Sequence, residues 1–166
     1  MTGVDRSVRG VFTLLVIACF AAFFITQRLK HTPTAVQAFQ LTPRFSPTPA
    51  GHIKEEHISF KLARADRVTV SILDSSGAVV ATLIKDRPVP RYKQLSLLWN
   101  GRLGEAQSSR TRREANGHEF IEPANAGALA PAGEYRVRVT LRAQRRSLRS
   151  PRSFELVAPK PAKSTG

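Results

Sequence analysis

The chain has 166 residues, with 26 Lys and Arg against 12 Asp and Glu, a formal charge of +14 at neutral pH. Its single cysteine, Cys19, lies in an apolar run near the N-terminus, which excludes a disulfide and with it a disulfide-pinned antibody-type fold. The length leaves room for one domain of roughly 110 to 120 residues, and the arginine excess favours polyanions or an anionic surface, unless it only decorates a solvated exterior.

Residues 1–10 read as a short cytoplasmic tail. From Val11 to Thr26 (VFTLLVIACFAAFFIT) there is no charge, Gly or Pro. As a helix rising about 1.5 Å per residue, Gly10 to Gln27 reaches roughly 27 Å, close to the ~30 Å hydrocarbon thickness of a bilayer. The pattern predicts one transmembrane signal anchor over 11–27. A buried helix of a soluble core fits poorly, because no amphipathic partner helix follows. A cleaved secretory signal needs small residues directly after the run, where Gln27, Arg28 and Lys30 stand, and only Val36-Gln37-Ala38 offers a site. Val16-Ile17-Ala18-Cys19 is like a lipoprotein box, but Phe20 to Ile25 keep the chain apolar past the cysteine. Arg6 and Arg9 on one side match Arg28 and Lys30 on the other, so charge alone does not set the orientation. A short tail inside and the domain outside the cytoplasm is the usual layout.

Residues 28–37 read as a stalk, and a domain is expected over 38–158. Phe39 and Leu41 share one face of an edge strand, punctuated afterwards by Pro43, Pro47 and Pro49. Ile58, Phe60 and Leu62 alternate with Ser59 and Lys61, and Val68, Val70 and Ile72 alternate with Thr69 and Ser71, the period of strands with one buried face. Asp74-Ser75-Ser76-Gly77 supplies turn chemistry, so 68–84 reads as a hairpin with a return strand over Ala78 to Ile84. Pro88 and Pro90 then break the chain. Leu95, Leu97 and Trp99 run into Asn100-Gly101, a turn pair. Arg102 to Pro131 has few apolar residues and reads as a long mobile insertion or binding loop. Tyr135, Val137, Val139 and Leu141 alternate with Arg136, Arg138, Thr140 and Arg142, giving a core face and an arginine ridge. A loop through Gln144, Arg145, Arg146, Arg149 and Arg152 leads to a last strand, Phe154 to Val157, and residues 159–166 read as a disordered tail.

About seven short strands with turns at intervals, and neither an amphipathic helix nor a βαβ rhythm, predict an all-β fold, an antiparallel sandwich. Its expected core anchors are Phe60, Val70, Ile72, Leu97, Trp99, Tyr135, Val137 and Val139.

From about Phe45 to Val139 the sequence resembles the FlgD/Vpr-type Ig-like domain of bacterial secreted and surface proteins. The matching pieces are Phe45-Ser46-Pro47, Ile58 to Leu62 (ISFKL), Val68 to Leu83 (VTVSILDSSGAVVATL), Trp99-Asn100-Gly101 and Pro131 to Val139 (PAGEYRVRV). Two departures stand out. Thr48-Pro49-Ala50-Gly51 replaces the Asn/Asp-rich turn that often follows Phe-Ser-Pro, removing the case for calcium there, and the segment before Pro131 is longer than usual. The resemblance implies a binding or spacer module at the bacterial cell surface, outside the cytoplasmic membrane, and does not imply an enzyme or a flagellar role.

Catalytic, cofactor and metal constellations are poor. His52-Ile53-Lys54-Glu55-Glu56-His57 is superficially like an inverted zinc-peptidase motif, but the histidines are one residue too far apart and lie in strand context. No nucleophile elbow, phosphate-cradling glycine loop or paired-carboxylate context occurs. The candidate binding residues are therefore Arg136, Arg138, Arg142, Arg145, Arg146, Arg149 and Arg152, whose guanidinium groups suit phosphates or carboxylates, against the plainer reading of a charged solvated face. The partners expected are the membrane and an unidentified protein, with anionic wall polymer or lipid head groups as the alternative. Nucleic acid requires the reverse topology, and the chain offers few stacking aromatics for it.

Overall fold

The structure, a computed structural model, describes residues 3–30, 34–48 and 51–157, and within the first helix the side chains of residues 10–26. The expected tail at 159–166 and the middle of the expected stalk lie outside these residues. The chain divides into two compact units, Met1–Thr34 and Ala35–Gly166.

The first unit holds one helix, α1 (Gly3–Lys30), of 28 residues. Most of the residues expected as a tail, and the first of the expected stalk, belong to it. Helix-favouring leucines and alanines fill its middle, and no proline interrupts it. Among the described residues no helix is long and apolar enough to cross a membrane. The described side chains of α1 are nonetheless apolar all round and exposed, from Val11 at 68% through Ile17 at 62% to Phe24 at 71%.

The second unit is mostly β. In chain order its strands are β1 (Val36–Leu41), β2 (Arg44–Phe45), β3 (Glu56–Leu62), β4 (Asp66–Leu73), β5 (Val79–Val89), β6 (Gln94–Trp99), β7 (Gly104–Glu105), β8 (Ser109–Arg113), β9 (Glu119–Pro123), β10 (Gly133–Leu141), β11 (Arg146–Arg149) and β12 (Phe154–Leu156). One sheet runs β1-β3-β6-β9-β8 and the other β2-β12-β10-β4-β5-β7, with β11 also on β10. β12 and β11 share one edge of β10 in succession, the first on Gly133–Tyr135 and the second on Arg138–Leu141. Between them Ser150 keeps the ladder unbroken: its N–H donates to the Val137 carbonyl at 2.7 Å, and its Oγ accepts from the Val137 N–H at 3.1 Å.

The strands seen in the sequence are present, and their alternation sorts them correctly. Ile58, Phe60, Leu62, Val68, Val70, Ile72, Leu97, Trp99, Tyr135, Val137 and Val139 join one buried cluster between the sheets. Trp99 is its centre. Its ring lies 5.6 Å from Phe45, 5.7 Å from Tyr135 and 6.0 Å from Phe154. Its indole N–H donates to the Arg102 carbonyl at 2.9 Å, so the buried donor is satisfied.

Three expectations need correction. The sheets are mixed rather than antiparallel, because β12 with β2, β5 with β7 and β6 with β9 run parallel. The return strand does not stop before Pro88 but continues to Val89, with Pro88 opposite Arg67. Beyond Thr82 the outer edge of β5 has no ladder partner, so a residue without an N–H costs no sheet hydrogen bond there. Finally, 102–131 is an ordered part of the fold. β8 and β9 pair over five registered positions and extend the first sheet. Buried Asn125 fastens the connection, its amide donating to the carbonyls of Thr82 at 3.2 Å and Gly104 at 2.6 Å. Every residue of β8 is exposed, so the strand has no apolar alternation to read.

One acid lies inside. Glu56 is fully buried opposite Trp99; its Oε1 accepts from the Thr42 N–H at 2.9 Å, while its Oε2 has no partner. Burial pushes its pKa up to about 9, against a smaller lowering by the Thr42 bond, so the folded protein holds this proton at neutral pH. The unfolded chain releases it near the ordinary value of 4.5. Folding therefore takes up a proton between these values, and stability falls as pH rises through that window, by roughly 3 kcal/mol at pH 7. Glu56→Gln keeps the shape and removes the titration. Its melting temperature should exceed the parent's by a margin that widens from pH 5 to pH 8; a margin constant across that range would contradict a raised Glu56 pKa.

Candidate functional site

β10 carries the arginines because a period of two places every second residue outward. Val137, Val139 and Leu141 meet Ile72, Val70 and Val68 of β4 on the inner side, while Arg138 and Thr140 meet Ser71 and Thr69 on the outer side. Across the other edge, Arg138 stands opposite Arg149 of β11. Directly opposed residues have Cβ atoms about 4.5–5.5 Å apart, so two guanidinium groups of like charge share one small patch. Arg138 is half-buried, and its Nε is enclosed without a hydrogen-bond partner.

Arg136 and Arg149 also border a cleft of about 310 Å³ whose other side is the β4–β5 turn, Asp74 to Gly77, with Glu134 on its rim. Gly77 takes φ +87°, the left-handed region in which side chains are strained, and a Cβ there would come 3.6 Å from Arg149 Nη2. Asp74 is committed to the turn, accepting from Ser76 Oγ at 2.6 Å and the Ala78 N–H at 3.0 Å. These bonds, led by that from Ser76, hold its carboxyl below the usual range.

The ridge expected from the sequence divides here. Arg142 lies past the end of β10, and its guanidinium pairs with Asp86, which also binds Arg67 Nε at 3.1 Å. Burial alone would raise the Asp86 carboxyl, but Arg67 and Arg142 hold it low. Arg145 occupies the left-handed position (φ 49°) of the turn between β10 and β11. That turn is pinned by buried Asp66, which accepts from the Ala143 N–H at 2.8 Å, the Gln144 N–H at 3.2 Å and Gln144 Nε2 at 3.1 Å. Burial opposes charge on Asp66, yet these bonds and one from the Arg67 N–H outweigh it and lower its pKa. Arg146 is registered with inward-facing Leu141, so it leaves the sheet on the side away from Arg138, although it is exposed. Arg152 is exposed in the link to β12. The structure thus groups Arg136, Arg138 and Arg149 and separates Arg142, Arg145, Arg146 and Arg152 from them.

Of the separated arginines, Arg142 is neutralised, while among the described residues no carboxylate pairs with Arg145, Arg146 or Arg152. Arg44 pairs with Glu155, Arg112 with Glu55 and Glu122, Arg113 with Glu119, and Arg67 and Arg142 with Asp86. Among the described residues no carboxylate pairs with Arg136, Arg138 or Arg149.

The histidine motif disperses: Glu56 enters the core, His52 is exposed, and His57 turns outward to lie 5.1 Å from the Phe120 ring. Among the described residues no group of three His, Cys, Asp or Glu could hold a metal ion. A second feature, which strand alternation does not reveal, is a cleft of about 340 Å³ on the outer face of the first sheet, walled on one side by the β8–β9 turn. Asn116-Gly117 was its readable signal, since an Asn-Gly pair marks a tight hairpin turn, and Gly117 takes φ +82°.

No protein-family model and no curated protein matches the chain.

The opposed Arg138 and Arg149 should repel, and an acid at 149 converts the pair into an attraction. Arg149→Glu should therefore raise stability by about 0.5–1 kcal/mol in dilute buffer, a gain that shrinks in 1 M salt as screening shortens to about 3 Å. Denaturant titration at the two ionic strengths measures this; an unchanged or lowered midpoint in dilute buffer would mean that the guanidinium groups already avoid each other.

Proposed function

We propose that this chain is a single-pass, membrane-anchored Ig-like module of the FlgD/Vpr type, held outside the cytoplasm at the bacterial cell surface, which works by binding or spacing rather than by catalysis. The observation that carries the reading is α1. Over Val11 to Ile25 its large side chains are exposed on all sides. A helix apolar all round needs an apolar surrounding, and hydrocarbon supplies one. The uncharged run Val11 to Thr26 rises roughly 24 Å, short of the ~30 Å of a bilayer interior, and the helical backbone continues at both ends of it. The type of domain is supported by the motifs quoted above and by the bond from Tyr135 Oη to the Pro131 carbonyl at 2.6 Å. This ties a strand-end tyrosine to the backbone four residues upstream, as in Ig-like sandwiches.

A second reading is favoured by the unneutralised Arg136, Arg138 and Arg149, which suit an anionic polymer or lipid head group through paired hydrogen bonds to each phosphate. It concerns what the module binds, and it stands on the second sheet alone.

Alkaline carbonate should leave the protein in the membrane pellet, and protease added to intact spheroplasts should remove a tag placed after Gly166. Extraction by carbonate would dismiss the anchor. Protection of the tag until lysis would put the domain in the cytoplasm and move the reading toward nucleic acid. Replacing Arg136, Arg138 and Arg149 together by Gln should reduce retention on anionic vesicles or wall polymer at least tenfold at low salt, and high salt should abolish the difference. Equal retention of parent and variant would remove the arginine patch from the account.

A further inference from the structure

The outer face of the first sheet carries a cleft of a different character from the arginine patch. It encloses about 340 Å³, within the ~300–1,000 Å³ of small-ligand sites. In a chain with 26 Lys and Arg, none of its lining residues is either. Lys61, opposite Gln94, and Arg112, opposite Phe120 and paired with Glu55 and Glu122, border it without lining it. The lining consists of amides (Gln40, Gln94, Asn116), hydroxyls (Thr42, Ser59, Ser96), one carboxylate (Glu114) and two imidazoles (His57, His118), with the Phe120 ring to one side.

The sheet register arranges these groups. Gln40 of β1 is opposite Ser59 of β3, and Ser59 is opposite Ser96 of β6, so three hydrogen-bonding side chains form a row across three strands spaced about 4.8 Å apart. Ser59 Oγ donates to Gln40 Oε1 at 3.3 Å, which leaves the Gln40 NH₂ to donate outward. Neither the Gln94 amide nor the Ser96 hydroxyl has a partner among the described residues. The opposite wall is stiff, because Asn116 is held at both ends of its amide: Nδ2 donates to Glu114 Oε2 at 3.1 Å, and Oδ1 accepts from the His118 N–H at 2.9 Å. His57 and Phe120, with ring centres 5.1 Å apart and planes tilted by 52°, each present a ring face at the side of the cleft.

An apolar ligand would strand these amides and hydroxyls, which cost about 1–3 kcal/mol each when buried unpaired. An anion would meet the Glu114 carboxylate in the lining and no Lys or Arg there. A group that both donates and accepts matches amides and hydroxyls, and a ring whose edge is hydroxyl and whose face is C–H matches the side chains of Phe120 and His57. We infer that this cleft binds a neutral oligosaccharide, its pyranose hydroxyls on the Gln40–Ser59–Ser96 row and Gln94, and a sugar face against Phe120. The site is on the sheet opposite the arginine patch and works without it.

The test uses the full-length protein in detergent and two neutral probes, the β-1,4-linked tetramers of N-acetylglucosamine and of glucose, followed by calorimetry and saturation-transfer NMR. At least one tetramer should bind with a dissociation constant of millimolar or tighter, with its ring C–H protons saturated, and polyphosphate should not compete. Gln94→Ala and Phe120→Ala, both outside the core cluster, should each weaken binding about tenfold without changing the melting temperature. Arg136→Gln/Arg149→Gln should leave it unchanged. Should Phe120→Ala disturb the hairpin, Gln94→Ala alone decides. Failure of both tetramers to bind, affinity indifferent to Gln94→Ala, or displacement by polyphosphate would each overturn the assignment.

Discussion

The β-unit depends on Trp99. It comes from β6 of the first sheet, yet its ring packs against Phe45, Tyr135 and Phe154 of the second, so one side chain joins the two layers at the end where the short strands β2 and β12 meet β10. Aromatic side chains bury about 150–250 Å² each, and edge-to-face pairs add roughly 0.5–1.5 kcal/mol beyond that area, which matters in a domain with no disulfide to hold its sheets together. The indole N–H would be a liability there, but the Asn100-Gly101 turn brings the Arg102 carbonyl back to accept it. Gly101 takes φ +78°, and a Cβ on it would press on Pro47, Leu129 and Leu156 at 3.2–3.3 Å. Packing and turn are therefore one arrangement.

Once the inner faces are committed to that core, the outer faces are free to differ, and they do. The second sheet gathers like charges, with Arg138 opposite Arg149 and Arg136 two residues along β10. On the first sheet, most cations near the added hairpin are spent on ion pairs: Arg112 on Glu55 and Glu122, and Arg113 and Lys93 on Glu119. What remains in its cleft is amides, hydroxyls, two imidazoles and one carboxylate, Glu114. A strongly basic chain thus presents one face that remains basic and another whose lining holds no cation, and the total charge alone conceals the difference.

Buried polar groups hold these faces in place. Asp66 accepts four hydrogen bonds and fastens the β10–β11 turn to the start of β4, which sets where Arg149 emerges. Asn125 does the same for the connection that carries β8 and β9. Among the described residues one oxygen of buried Glu56 has no partner, as does Asn125 Oδ1, and Glu56 remains neutral at a cost that grows with pH.

Much of the architecture was legible because alternation is a local property. Val68-Val70-Ile72 and Tyr135-Val137-Val139-Leu141 each declare one buried face, and Asp74 to Gly77 and Asn100-Gly101 declare turns, whatever the rest of the chain does. The sequence by itself therefore determined an all-β domain without disulfides, its principal strands and core, and an apolar N-terminal helix. It could not show β8, where every residue is exposed and no period exists, nor that Pro88 sits harmlessly on an open edge. It also placed Arg142 and Arg146 with Arg138, because spacing along a strand says which face a residue takes only while the strand lasts. Pairing across strands is decided by register, and register by the packing of the whole core. Only the tertiary structure could set Arg138 against Arg149, give Arg142 to Asp86, and align Gln40, Ser59 and Ser96 from three separate strands into one row.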